Sequence, residues 1–564
     1  MTVAVDVEGA DAPRTKRRLP GPRASLLLLL AIYIALSLVN DPGAYLGTDT
    51  GGKVVTLHEM TERGSPTNLD IGYWASEWDP EGTLHPYFGT RRMGDAWTQV
   101  TTIPMILVGH PLYALGGYRL VLVLPMLGGL ACAAAARRMA RLMGATGDGQ
   151  AAAFWLVGLA GPVLIYSLDF WEHTIGLAAM AWAAIALTEA TGRSRGQRLG
   201  WGLAAGLLWG FAFSMRTESL IYAAVMTATI LAHRAFVGRR LKEAFETGLA
   251  TVVGLLGAIA ANVGVEVLVL GSSLRAGRAE ATASGAGSTV SLRLREALVT
   301  TFGLGAGDLG VLLGLLAFAL LVVAILGTRR PETANDRWPM LAVGASVPTV
   351  LYLLSTGFGF VPGMFATAPV AIAGLVLGRK GSGSPLVWGA LFSLPMVWAF
   401  QYTGGAGPQW GGRYTLMSAF VLTVAGAAAL PSMDKVIRSV LVFGSVAITM
   451  FGLVWMSVRT HHVADAAVVL RDRGDQVVVA SRTAGFLPRE FTPAIAERRW
   501  LMTTSDADLV RASEVVTATG DQDFAVLFVE GAELPERIGS YRRGAEEVLQ
   551  FVPGANLLIV TYER

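Results

Sequence analysis

Charge is scarce in this sequence. Asp, Glu, Lys and Arg make up 15% of its 564 residues, against 53% hydrophobic residues and a mean hydropathy of +0.50. A soluble domain carries roughly a quarter charged residues, so the composition points to a chain that crosses a membrane many times. Cysteine is almost absent. Cys132 stands alone, which excludes a disulfide within the chain and a cysteine-based metal site. Lysine is rare too, at five of the 45 basic residues, a bias of composition rather than of chemistry. The formal net charge of +3 is too small to argue for a nucleic-acid partner. No small-residue cleavage site follows the first apolar run, so an uncleaved first span is expected after a polar, then basic tail over residues 1–23.

What the chain does have is apolar runs of bilayer length, about 20 residues each. Counted along residues 24–458 they number about thirteen, from a first at 24–40 and a second at 118–136 to a last at 440–458. Arg and Lys between alternate spans orient them. "TKRR" ahead of span one and "RRMARL" after span two place the N-terminus in the cytoplasm. Residues 41–117 then form a long first outer loop, and the C-terminus lies outside.

The tail, residues 459–564, is charged and mixes periods. "VADAAVVLRDRG" reads as a helix, and "QVVVAS", "FAVLFVEG" and "NLLIVTYER" read as strands. "SDADLVRASEVVTATG" opens on a Ser-x-x-Asp cap and reads as a second helix. The expected fold is a polytopic α-helical membrane protein with a small C-terminal extracytoplasmic α/β domain. Its strand ends lack a Gly-x-Gly-x-x-Gly loop, which argues against nucleotide binding.

Ionisable residues near membrane depth are costly and point to function. Here they gather at outer span ends: Asp49 with Asp41 after span one; Asp169, Glu172 and His173 in "LDFWEHT"; Arg216 and Glu218 in "SMRTES"; Arg413 and Tyr414 in "WGGRYTL". Each has an ordinary reading as well. Asp49 suits a helix N-cap, Arg216 and Glu218 suit each other, and Arg413 suits a snorkelling anchor. Their coincidence on one face favours a site open to the outside. Lys53 follows Asp49 by one helical turn and is the sole lysine of the outer segments.

A long first outer loop with an acid soon after span one resembles the GT-C superfamily of polyprenyl-phosphate-sugar-dependent membrane glycosyltransferases. "WTQVTTIPMILVGHPLYALGG" resembles that fold's juxtamembrane helix, and "GGRYTLMSAF" its late Arg-Tyr motif. The resemblance implies transfer of a sugar from a polyprenyl-phosphate donor to an envelope glycan, lipid or protein acceptor on the outer face of the membrane. Asp49 would be the general base. Arg413, then Arg216, would hold the departing phosphate through the planar guanidinium fork. Lys53, Glu172, His173 and Tyr414 would complete the substrate-binding set, and Trp74, Trp78 and Trp171 offer stacking surfaces. A single displacement would invert the anomeric centre. The superfamily's pair of adjacent acids is missing, since Thr50 follows Asp49, so a divalent metal is not supported and no cofactor is expected.

The alternative is a secondary transporter or flippase. It would need internal repeats and polar groups at mid-membrane. Asn262 and Glu266 are the one polar pair well inside a span.

Overall fold

The computed structural model describes residues 21–564 apart from 46–47, 88, 275–288, 330–336, 379–382, 401–408, 474–476, 486, 492–494 and 496–497. Most of the expected basic tail, and parts of the loops around 271–308 and 402–413, lie outside the described residues.

Helices dominate. After α1 (Pro22–Ser37) the chain forms α2 (Thr48–Glu62), a hairpin of β1 (Thr90–Met93) with β2 (Ala96–Gln99), and α3 (Ile103–Val121). The expected juxtamembrane helix is therefore split: its "WTQ" pairs in β2 and the helix starts only at Ile103. α3 passes into α4 (Val123–Leu142) at a bend of 64°. Gly116 and Gly117 leave helical geometry just before it, and Gly117 has φ 61°. Next come α5 (Gly147–Leu159), α6 (Pro162–Ser167), α7 (His173–Glu189), α8 (Arg195–Met215), α9 (Ser219–Ala232) and α10 (Leu241–Leu270).

The α8–α10 pair shows how the sequence selects its packing. Gly202, Gly206 and Gly210 recur every four residues along one face of α8. A Cβ on Gly206 would stand 2.0 Å from the Thr251 carbonyl oxygen of α10. Small residues at this spacing let two backbones touch, which is how helices associate where no hydrophobic effect drives them.

The second half of the bundle holds α11 (Val290–Phe302), α12 (Asp308–Gly327), α13 (Arg337–Gly344), α14 (Ser346–Thr356), α15 (Met364–Thr367), α16 (Val370–Leu377), α17 (Ser384–Phe400) and α18 (Leu416–Ala429). Against about thirteen expected spans, six described helices are long and apolar enough to cross a membrane, and the α3–α4 pair would make seven. The difference has local causes. Several apolar runs are broken or short: α5 and α6 part at Gly161, α15 and α16 part before Pro369, and α1 and α17 have 16 and 17 residues. By length and composition the chain is a multi-pass membrane protein.

The last helix of the bundle, α19 (Lys435–Asp472), runs 38 residues without a break. Asp434 starts it by accepting from Val436 N at 2.8 Å and Ile437 N at 3.2 Å. At 1.5 Å per residue it is about 57 Å long, roughly twice the hydrocarbon thickness. The expected boundary at residue 459 falls inside it, and "VADAAVVLRD" is its final stretch rather than a separate helix.

β3 (Val477–Ala480), β4 (Arg499–Met502), α20 (Asp506–Ala518), β5 (Asp523–Val529), β6 (Arg537–Ile538), β7 (Tyr541–Val552) and β8 (Ala555–Glu563) follow. The sheet order is β4-β3-β5-β8-β7-β6, parallel across the first three strands and antiparallel beyond. All four residues of β3 are buried, as a parallel strand covered on both faces requires. Ser505 caps α20 by accepting from Asp508 N at 3.1 Å. Part of the first loop shares a core with this sheet: Ile71, Tyr73, Leu84 and Trp97 pack with Val479, Trp500 and Leu527. Trp74 Nε1 donates to the Trp500 carbonyl at 2.9 Å, and Arg511 pairs with Asp79 at 2.8 Å. The first loop and the C-terminal sheet thus form one layer over one end of the bundle.

Candidate active site

Under that layer the dispersed charged residues meet. Asp49 lies in the first turn of α2. Its carboxylate faces Arg413, with Oδ2 3.3 Å from Nη1, and the Asp49 side chain stays 44% exposed. Arg413 opens a one-turn 3₁₀ stretch, Arg413–Thr415, ahead of α18. The glycines before it have a geometric reason. Gly411 and Gly412 take φ of 71° and 62°, and a Cβ on Gly412 would stand 2.2 Å from the Thr300 carbonyl oxygen. Only glycine takes that path at low cost.

Arg413 also donates to the Tyr414 hydroxyl at 2.8 Å. Its guanidinium lies 4.8 Å from the Tyr414 ring centre, and that of Arg216 lies 5.4 Å from it. Arg216 pairs with Glu218 at 2.8 Å and with Glu172 at 3.2 Å. The other oxygen of Glu172 takes Lys53 Nζ. The result is a linked cluster: Asp49 with Arg413, then across the Tyr414 ring Arg216 with Glu218 and Glu172, and Glu172 with Lys53. All but Asp49 and Arg413 are nearly sealed from solvent. Buried charges persist when paired in this way.

Asp169 braces the arrangement. It accepts from Tyr118 Oη at 2.6 Å, Thr50 Oγ1 at 3.0 Å and Phe170 N at 2.8 Å. Burial pushes its carboxyl up to about 6 despite those three donors. At Glu172 burial works in the same direction, but Lys53 and Arg216 outweigh it and hold the carboxyl down at about 2. At Asp49 partial burial favours the neutral form, and the charges of Arg413, Arg489 and Lys53 overcome it, so the group lies below the usual carboxylate range. His173 begins α7, fully buried, with its ring parallel to Tyr166 at 4.4 Å. Neither of its ring nitrogens has a protein partner among the described residues.

All seven residues of the expected set, Asp49, Lys53, Glu172, His173, Arg216, Arg413 and Tyr414, fall in this one cluster. Asp41 does not: it closes a local turn by accepting from Gly43 N at 2.7 Å. Trp74 is committed to the sheet, and Trp78 stands exposed, so neither stacks in the site. Trp171 does border it, 5.3 Å from the His173 ring. Asp49 lies inside the first turn of α2 rather than ahead of it, and Arg216 and Glu218 do pair with each other as their ordinary reading has it. Arg489, on a short 3₁₀ stretch of the C-terminal region (Leu487–Phe491), was invisible in the sequence, because nothing around it signals a site. Among the described residues no group of three His, Cys, Asp or Glu side chains could hold a metal ion.

Beside this cluster lies an apolar cavity of about 360 Å³, lined by Phe302, Phe318, Leu353, Phe360, Phe365 and Phe451 among others. Trp410 links the two. Its ring stacks on Phe451 at 6.4 Å, and its carbonyl accepts from Tyr166 Oη at 2.7 Å. The polar pair Asn262 and Glu266 is far simpler. Asn262 Nδ2 donates to Glu266 at 2.8 Å, and the other Glu266 oxygen takes Ser273 Oγ and Leu274 N, which ties down the end of α10.

No family model matches the chain, and no curated protein matches it. Solved structures do. ArnT from Cupriavidus metallidurans bound to undecaprenyl phosphate is 12% identical, over 95% of this chain and 97% of its own, with a TM-score of 0.48. The Archaeoglobus fulgidus oligosaccharyltransferase in its apo form is 13% identical, over 90% of this chain and 69% of its own, with a TM-score of 0.47. The AglB enzyme of that organism, in complex with an inhibitory peptide and a dolichol-phosphate, is 12% identical over 89% and 69%, with a TM-score of 0.44. Scores at this level carry nothing about chemistry, which the residues themselves must supply.

Proposed function

We propose that the chain is an integral-membrane glycosyltransferase that moves a sugar from a polyprenyl-phosphate donor to a hydroxyl of a glycan, lipid or protein acceptor. One observation carries the reading. A half-exposed carboxylate, Asp49, and a planar guanidinium, Arg413, face each other at 3.3 Å, and Trp410, close before Arg413 in the chain, stacks on Phe451 in the wall of an apolar cavity within the bundle. That is the pair of groups such a transfer needs, next to room for an apolar chain.

The step is a single displacement. Asp49 takes the proton of the acceptor hydroxyl as its oxygen attacks the anomeric carbon. The bond from that carbon to the phosphate oxygen breaks, and the electron pair leaves with the phosphate. Arg413 meets the charge that develops there with two parallel N–H donors, and Arg216 backs it across the Tyr414 ring. Attack from the face opposite the departing phosphate inverts the anomeric centre. The N-terminus is cytoplasmic, and the layer of first loop and sheet is extracytoplasmic, where a lipid-linked sugar presents its head. No metal or other cofactor enters this scheme.

Binding of undecaprenyl phosphate, the donor without its sugar, tests the phosphate half. Native mass spectrometry of the detergent-solubilised protein should show one bound copy in the wild type and a clear loss in Arg413→Lys. Equal binding by the two proteins would remove Arg413 from the phosphate site.

A further inference from the structure

The end of the bundle remote from the Asp49 cluster carries a second concentration of charge. α9 begins at Ser219, directly after the Arg216–Glu218 pair, and a π-helical turn, His233–Val237, ends it. Together they make an apolar segment of 19 residues. At 1.5 Å per residue that is about 28 Å, close to the hydrocarbon thickness. The turn into α10 therefore reaches the opposite surface of the bilayer, the cytoplasmic one on the proposed topology.

Six basic residues gather there: Arg195 and Arg198 from α8, and Arg234, Arg239, Arg240 and Lys242 from the α9–α10 turn and the start of α10. Two acids answer them, and both are shared. Glu243 takes Arg234 at 3.0 Å, with Arg198 and Arg240 each at 3.7 Å. Glu246 takes Arg198 at 2.5 Å and Arg195 at 3.2 Å. Arg234 is buried and also donates to the Ala190 carbonyl at 2.9 Å, so it serves the fold. Arg239 and Lys242 are exposed, and neither has a salt bridge or hydrogen bond among the described residues.

Orientation in the membrane asks only for charge at this end. It does not account for the backbone. Arg239 has φ 53°, the one positive φ outside glycine among the described residues. A long side chain is costly in that region. Glycine is the usual occupant where a helix ends in this way, yet Gly238 stands next to it at φ -78°. Strain kept at one residue points to a role other than folding. The π-helical turn is a second irregularity, closed by Gly238 N donating to the His233 carbonyl at 3.1 Å. Beside the cations stand Phe236, Leu241 and Phe245, each at least 67% exposed. Guanidinium and ammonium groups next to apolar side chains at the end of a span match an anionic phospholipid. Its phosphate meets the cations, and its acyl chains cover the apolar side chains.

We propose that the α9–α10 turn binds an anionic phospholipid, with Arg239, Arg240 and Lys242 on its headgroup and Phe236, Leu241 and Phe245 against its chains. None of these residues belongs to the Asp49 cluster, so this site is independent of the proposed function.

Native mass spectrometry of the full chain, in detergent micelles doped with phosphatidylglycerol or phosphatidylcholine, is the test. The wild type should retain phosphatidylglycerol well above phosphatidylcholine. A cation near a bilayer surface is worth about fivefold in affinity for anionic lipid. Arg239→Gly should therefore weaken retention about fivefold, and the triple variant Arg239→Gly/Arg240→Gln/Lys242→Gln about 100-fold. Phe236→Gln should weaken it with the charge unchanged. Arg239→Gly also relieves the backbone, so its melting temperature without lipid should equal or exceed that of the wild type. Equal retention of the two lipids by the wild type, or undiminished phosphatidylglycerol retention by the triple variant, would overturn the proposal. Release of the lipid by millimolar inorganic phosphate would make the turn an anion site with no use for acyl chains, and would overturn it as well. A lower melting temperature in Arg239→Gly would return the arginine to the fold and overturn its assignment to the headgroup.

Discussion

Glu172→Gln is the sharpest probe of the buried charges. Glu172 sits between two cations, with Lys53 on one oxygen and Arg216 at 3.2 Å on the other, and its side chain is 8% exposed. Glutamine keeps the shape and removes the charge. Arg216 retains Glu218 at 2.8 Å, so it remains paired. Lys53, 1% exposed, is left with the Phe170 carbonyl at 3.4 Å and no bonded anion. Breaking a buried pair from one side costs about 3–5 kcal/mol, because the stranded charge stays out of water. The assay is equilibrium unfolding in mixed micelles. Adding Lys53→Met to the variant should recover much of the loss, since an apolar side chain of similar length needs no counter-ion. The pH dependence has a definite sign. The folded carboxyl lies at about 2, below its ordinary 4.5, so its contribution is present above pH 4.5 and is lost as pH falls towards 2. A Glu172→Gln protein as stable as the wild type, within about 0.5 kcal/mol, would refute the idea of one interdependent charge cluster.

Arg413→Lys should cost about 10- to 100-fold in transfer, since lysine forfeits at least one charged hydrogen bond worth roughly 1.5–3 kcal/mol. The loss should fall on kcat as well as KM, because the phosphate gains charge as it departs; wild-type kinetics would make Arg413 a mere anchor. Gly206→Leu should abolish the folded protein in detergent, while Gly200→Leu, on the same helix with open space around it, should be tolerated; size-exclusion profiles decide between them. Orientation is open to labelling. With Cys132→Ala as background, Glu514→Cys, an exposed position on α20, should react with an impermeant maleimide in intact cells, and protection there would reverse the proposed topology.

Much of the site was legible because its chemistry is unusual for its surroundings. Asp169, Glu172, Arg216 and Arg413 stand out in a chain so poor in charge, and orientation by Arg and Lys put them on one face. Their pairing was not legible. Nothing local says that Glu172 takes Lys53 rather than Arg216 alone, which is nearer in sequence, since that depends on how α2 lies against the turn at residues 169–172. The strands Val477–Ala480, Asp523–Val529 and Ala555–Glu563 were readable as apolar runs. Tyr541–Val552 was not: as a largely exposed strand near the sheet's edge it carries Arg542, Glu546 and Glu547, and its apolar positions do not mark it. Apolarity and helicity part company at several places along the bundle. Gly161 and the Ala368–Pro369 step interrupt runs that hydropathy alone reads as continuous. Arg489 needed three dimensions, because it lies 440 residues from Asp49 in the chain.

The most direct measurement is transfer itself. Purified wild-type protein in liposomes, given radiolabelled polyprenyl-phosphate sugars and envelope-glycan acceptors, should release label to an acceptor, and Asp49→Asn should lower that rate by at least ~10²-fold while folding normally. Near-normal transfer by Asp49→Asn would contradict the assignment of Asp49 as the base, and no transfer by the wild type from any such donor would contradict the account as a whole.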